Sequence, residues 1–213
     1  MDLVTLAMDI LFSMDESLLI IVQQYGYLTY PIIFAIVFLE TGLVFAPFLP
    51  GDSLLFLAGA LAAAGALDIL VLFAAIATAA IAGDTCNYHI GKYAGRRLLK
   101  SGRIDKRYVL KAEGFFARHG GKTIVLARFI PFVRTFAPFV AGMGSMRYRS
   151  FVIYNITGGL AWSAALLSLG YLFGNLPIVK DHLSFLFIGI VLLSFAPFGA
   201  AFLKKALRRK QRS

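Results

Sequence analysis

The sequence predicts an all-α polytopic membrane protein with about four transmembrane helices and two opposed re-entrant hairpins that form an inverted repeat. Three observations predict it. The first is composition: of 213 residues 59% are hydrophobic and 15% charged, and the mean hydropathy is +0.78, whereas soluble domains are roughly half apolar and a quarter charged. A water-soluble enzyme and a disordered chain are excluded on that ground, and a single cysteine, Cys86, excludes a disulfide scaffold. The second is charge segregation. Residues 1–91 hold eight acids and no Lys or Arg, residues 92–122 hold ten Lys/Arg against Asp105 and Glu113, and residues 204–212 add six more basic side chains. The third is that two of the apolar stretches are too short or too interrupted to cross a bilayer as plain helices.

Taken in order, residues 1–24 read as an amphipathic N-terminal helix: Asp2, Asp9 and Glu16 recur every seven residues, with Thr5 and Ser13 on the same stripe. That stripe is acidic, so packing against the body explains it better than attraction to an anionic leaflet. Without a Lys or Arg before Lys92 it does not read as a secretory leader either. Residues 28–45 are long enough to span and contain Glu40. Residues 53–67 are a 15-residue apolar run between Asp52 and Asp68, with Pro47 and Pro50 just upstream. Residues 69–90 are again long enough, with Asp84 near the basic end. A basic amphipathic stretch, 104–118, ends at Gly120-Gly121. Residues 123–146 are apolar yet contain Arg128, Pro131, Arg134 and Pro138. Residues 150–174 and 183–203 carry no charge and exceed the roughly 20 residues a crossing needs.

Proline removes a backbone donor and breaks a helix, and broken backbone survives at membrane depth only where protein or a water-filled cavity surrounds it. Residues 44–66 and 122–147 therefore read as re-entrant hairpins; ordinary kinked helices are the alternative. Charge orients them. Lys122 precedes the second hairpin, and Arg147 and Arg149 follow it, so by the positive-inside rule both of its ends lie in the cytoplasm, as do the basic segment 92–122 and the tail 204–213. The first hairpin then opens outward. Residues 25–203 form a single membrane domain in this reading. The basic clusters abut apolar segments and lack any RNA-binding motif, so nucleic acid is not expected as a partner.

A repeat supports the inverted arrangement. Phe48-Leu-Pro50 precedes Phe56-Leu-Ala-Gly59, and Phe129-Ile-Pro131 precedes Phe139-Val-Ala-Gly142; each block leads to a helix ending in Gly-x-x-x-Gly, at Gly91 and Gly95 and at Gly170 and Gly174. The offsets between blocks are 81 and 79 residues. Within this apolar frame, an ionised side chain at the bilayer centre costs about 2.5–3.5 kcal/mol. Glu40, Asp52, Arg128 and Arg134 left unpaired would together cost on the order of 10 kcal/mol, comparable with a fold's whole stability. They are expected to face one another, water or a ligand. Buried ion pairs are poor stabilisers beside apolar replacements, so two of them next to broken backbone point to use, with purely structural salt bridges as the alternative. The arginines Arg128 and Arg134 offer planar forks that suit a phosphate, and the carboxyls Glu40 and Asp52 are the groups that can carry protons or gate. Pro50, Gly51, Pro131 and Asp84 take supporting roles; Asp84, with Asn87 and Tyr88, is divided evenly between helix packing and a polar path. Trp162 and Tyr171 read as packing or interface anchors. His89, His119 and His182 are scattered, so neither a metal site nor a cofactor is expected, and no phosphatase-like His pattern marks an enzyme.

The motifs Phe38-Leu-Glu40-Thr-Gly42, Pro47-Phe-Leu-Pro50-Gly51-Asp52-Ser53, Gly83-Asp84, Arg128-Phe-Ile-Pro131-Phe-Val-Arg134-Thr135 and Gly170-Tyr-x-x-Gly174 resemble the DedA family of bacterial membrane proteins, whose shared unit is the VTT ("SNARE-associated") domain. The likeness runs from about residue 25 to 180, and Met1-Asp2-Leu3 with the run Phe136–Met143 resembles the branch that gives the family its name. The resemblance implies a multi-pass inner-membrane lipid transporter, dependent on proton motive force, that in some members recycles undecaprenyl phosphate. It maps the family's essential acids and arginines onto Glu40, Asp52, Arg128 and Arg134. Membrane lipids and protons are the implied partners, and homo-oligomerisation is left open. A proton-coupled exporter of small cations or drugs is the competing reading; two acids suit it, and two arginines oppose it.

Overall fold

The computed structural model describes residues 26–42, 51–95, 97, 101, 114, 116, 118, 120–130, 133–144, 146–174 and 176. The expected helix 1–24, the span 183–203, the tail 204–213, most of the basic segment, and Pro47, Pro50 and Pro131 lie outside them. Among the described residues the secondary structure is entirely helical. A 3₁₀ turn at Gly26–Leu28 leads into α1 (Thr29–Gly42), followed by α2 (Gly51–Ala63) and α3 (Ile69–Ile90), which continues as a π-helical turn over Gly91–Gly95. The second half comprises α4 (Lys122–Ala127), α5 (Val133–Met143) and α6 (Tyr148–Phe173). Two helices are long and apolar enough to cross a bilayer, Ile69–Gly95 and Tyr148–Phe173, at 27 and 26 residues.

Local chemistry sets these boundaries. Asp68 caps α3, its carboxylate accepting from the Leu70 and Val71 amides at 2.8 and 3.0 Å, while its own N–H donates to the Tyr30 hydroxyl at 2.8 Å and ties the turn to α1. In the second half the chain leaves α4 at Arg128 and re-forms a helix at Val133, so Arg128 stands at a helix end and Arg134 in the first turn of the next.

Helix α1 buries Thr29, Ile33, Val37, Glu40 and Thr41, a stripe at the spacing of one helical face. The stripe meets Leu72, Ile76, Ala79 and Ala80 of α3 in one apolar cluster with α2. The α1–α3 crossing closes at Gly42 and Gly83, where the backbones touch: a Cβ on Gly83 would stand 3.0 Å from the Gly42 amide nitrogen and from the Phe38 carbonyl oxygen. That approach sets Thr41 beside Asp84 and Asn87. Almost every side chain of α2 is buried, as expected of a helix apolar all round.

The repeat motifs meet crosswise. In the first half's α2, the Phe56–Gly59 segment lies on Leu167 and Gly170 of α6; in the second half's α5, Phe139–Gly142 lies on Tyr88 and Gly91 of α3 and its continuation. A Cβ on Gly170 would strike the Phe56 carbonyl, and one on Gly91 the Phe139 carbonyl; likewise Gly59 abuts Leu167 and Gly142 abuts Tyr88. Each short helix thus packs against the long helix of the other half, through corresponding residues.

Candidate functional site

Where the two exchanged packings meet, five charged side chains gather on five segments. Arg134, on the first turn of α5, donates through Nη2 to Glu40 of α1 and through Nη1 to Asp52 of α2. Its guanidinium lies 5.3 Å from the centre of the Trp162 ring of α6, a cation–π contact that orients the fork without consuming its donors. Glu40 is 2% exposed and Arg134 13%, whereas Asp52 is 23% exposed. Asp52 is therefore the member of this group nearest to solvent.

Arg128 lies in a different setting. Nη2 approaches Asp84 Oδ2 of α3 at 2.5 Å, Asn155 Oδ1 of α6 at 2.6 Å and the Ala80 carbonyl at 3.3 Å. Asn155 in turn donates to the Ile81 carbonyl at 2.9 Å and to the Thr85 hydroxyl at 3.3 Å. Arg128 and Asp84 are 4% and 5% exposed, so this is a fully buried, singly neutralised pair with an amide holding the remaining face. Asn87 links the two groups: its amide donates to the Thr135 carbonyl of α5 at 2.7 Å and to the Thr41 carbonyl of α1 at 3.2 Å.

The expectation was that two acids from the first half would meet two arginines from the second. For Arg134 they do. Arg128 meets Asp84 instead, the residue whose role was evenly divided, and Asp84 is thereby a full member of the ionic core. Both guanidiniums nevertheless line one small cavity, with Thr41, Asp84, Thr135 and Trp162. At about 10 Å³ it holds about one water and no phosphate group. In the same core Arg128 Nε, Asn87 Oδ1 and Ser163 Oγ are buried without a hydrogen-bonding partner among the described residues. Gly51 packs against the Glu40 carboxyl, and Pro50 and Pro131 fall outside the described residues. Sequence reasoning missed Asn155 and underrated Trp162. A carboxamide inside an uncharged span was the available signal for Asn155; for Trp162 nothing in the sequence separated an arginine platform from an interface anchor.

A VTT domain model matches residues 49–172. Protein DedA of Escherichia coli (strain K12) is 48% identical over 202 residues, covering 92% of each chain. The chain belongs to the DedA family. Inner membrane protein YghB of the same organism is 40% identical over 156 residues, 72% of this chain and 71% of that one. An uncharacterized membrane protein of Mycobacterium tuberculosis (strain ATCC 25618 / H37Rv) is 42% identical over 178 residues, 81% and 78% of the two chains. No solved structure matches. The ionic core of this DedA-family chain falls largely inside the matched VTT segment; Glu40 alone of its five charged members precedes it. With its apolar helices and these relatives, it is a membrane protein.

Proposed function

We propose that this protein is a transporter that moves an anionic lipid carrier, undecaprenyl phosphate, across the bacterial inner membrane, coupled to proton motive force and without enzymatic chemistry of its own. The observation that carries the reading is Arg134: a guanidinium on the first turn of an interrupted helix, flanked by carboxylates from two other helices, on the wall of a buried cavity. A permanently charged fork with removable counter-ions suits an incoming phosphate. Glu40 and Asp52 are the titratable counter-ions and supply the coupling to protons. In this scheme residues 44–66 and 122–147 are re-entrant hairpins from opposite faces within a four-span fold, the C-terminus is cytoplasmic, and rocking of one half on the other exposes the site alternately. The crosswise packing of the repeat supports that scheme.

The experiment is translocation of a lipid phosphate in proteoliposomes by wild type, Arg134→Ala and Arg128→Ala/Arg134→Ala. Loss of transport is expected in both variants; equal rates in all three would end the proposal. Export of small cations is the second reading, favoured by Asp84, which raises the carboxylates at the core to three against two arginines. Carboxylate-dependent cation flux without lipid movement would select it.

A further inference from the structure

Helix α2 begins at Gly51 beside the buried carboxyl of Glu40. A Cβ on Gly51 would fall into that carboxyl, with Cδ only 2.6 Å away and Oε1 2.9 Å. The first amides of a 13-residue helix carry about half a positive charge and form a ready anion site. Here a guanidinium completes it: Glu40 Oε1 accepts from Arg134, while Oε2, in a side chain 2% exposed, lies against Gly51 at the start of α2. An anion site made of a helix start, an arginine and its Trp162 platform is thus filled by one of the protein's own side chains.

Two further facts bear on what an arriving anion must do. Arg134 already has two carboxylates, one more than its charge requires. The small cavity that Arg134 lines, about 10 Å³, has no room for a phosphate beside the guanidinium. Asp52 is partly solvated and can stay so; the deep position at Gly51 is the one that must be vacated. We infer that Glu40 is a built-in competitor: its carboxylate occupies the seat of the substrate's phosphate-monoester head group, and the two exclude one another on Arg134 and the start of α2. The inference rests on the anionic-carrier reading above and specifies how its site is regulated. Neutralising Glu40 then opens the site rather than damaging it, and apparent affinity rises by the inverse of the fraction of time the site is free.

Trp162 is the only tryptophan in the chain and touches Arg134, so its emission reports the site. Purified full-length protein in detergent is titrated with a short-chain prenyl monophosphate, with the corresponding prenyl alcohol, and with inorganic phosphate. The monophosphate is expected to change the emission of wild type, and Glu40→Gln to bind it about tenfold tighter or more. The alcohol leaves the emission unchanged. Displacement by inorganic phosphate shows that the head group alone is recognised; its failure assigns recognition to the lipid phosphate. Glu40→Asp, which keeps the charge but withdraws it by one methylene, is expected to fall between the two and serves if the Gln variant does not fold. Binding by wild type with equal or weaker binding by a folded Glu40 variant overturns the competition and leaves the carrier reading standing. No binding by any of the proteins overturns both.

Discussion

At the scale of single residues, the two arginines differ although the sequence presents them alike. Arg128 has one carboxylate, an amide and a carbonyl around it and is sealed from solvent. Removing one partner of such a pair leaves an uncompensated buried charge and destabilises by about 3–5 kcal/mol, whereas replacing both by apolar groups is close to neutral. Asp84→Ala is therefore expected to lower the melting temperature in detergent sharply, and Asp84→Leu/Arg128→Met to recover most of the loss. A double variant as unstable as the single one would show that Arg128 does more than neutralise Asp84. Arg134 is braced by two acids and a ring and is less sealed. Arg134→Gln is expected to melt closer to wild type than Asp84→Ala while losing lipid-phosphate transport about tenfold or more. Trp162→Leu removes the platform and leaves both salt bridges. Transport should fall through a raised KM with little change in kcat, because the guanidinium is less well oriented for binding.

Among the elements, the crosswise seams carry the architecture. Gly91 and Gly170 occupy corresponding places, each against a carbonyl of the other half's short helix. A methyl group there must push backbone apart, and overpacking of this kind costs about 1–3 kcal/mol or more. Gly91→Ala and Gly170→Ala are expected to lower thermal stability by similar amounts, while Gly114→Ala, exposed and with no neighbour among the described residues within 4 Å of the added carbon, does not lower it. Unequal effects at Gly91 and Gly170 would argue that the two seams are not equivalent. The same seams explain why the helices tolerate so much glycine: close approach gains dispersion contacts and interhelical fit where lipid offers no hydrophobic drive between helices.

For the whole molecule, orientation follows from charge. Single cysteines at positions 122 and 147, in a background lacking Cys86, are expected to react with a membrane-impermeant thiol reagent from the cytoplasmic face only, and one at position 65 from the opposite face. Labelling of 122 and 147 from opposite faces would replace the second hairpin with a spanning segment and reverse the inferred relation between the halves.

The sequence by itself determined a great deal about this protein. Hydropathy declared a membrane protein, and the family motifs declared which kind. The helical class and the long apolar helices followed from apolar length, because a backbone in hydrocarbon must satisfy its own hydrogen bonds. The energetic cost of charge in that medium singled out Glu40, Asp52, Arg128 and Arg134, because residues too costly to be accidental stand out without any coordinates. Which acid meets which arginine was decided only in three dimensions. The pairing depends on where α1 crosses α3 at Gly42 and Gly83, and on how each short helix lies across the opposite half. Those crossings bring together residues as far apart as Glu40 and Arg134, and no local pattern encodes them. For the same reason Asp84 became the partner of Arg128, Asn155 its third support and Trp162 the floor beneath Arg134: each owes its role to a neighbour from another helix.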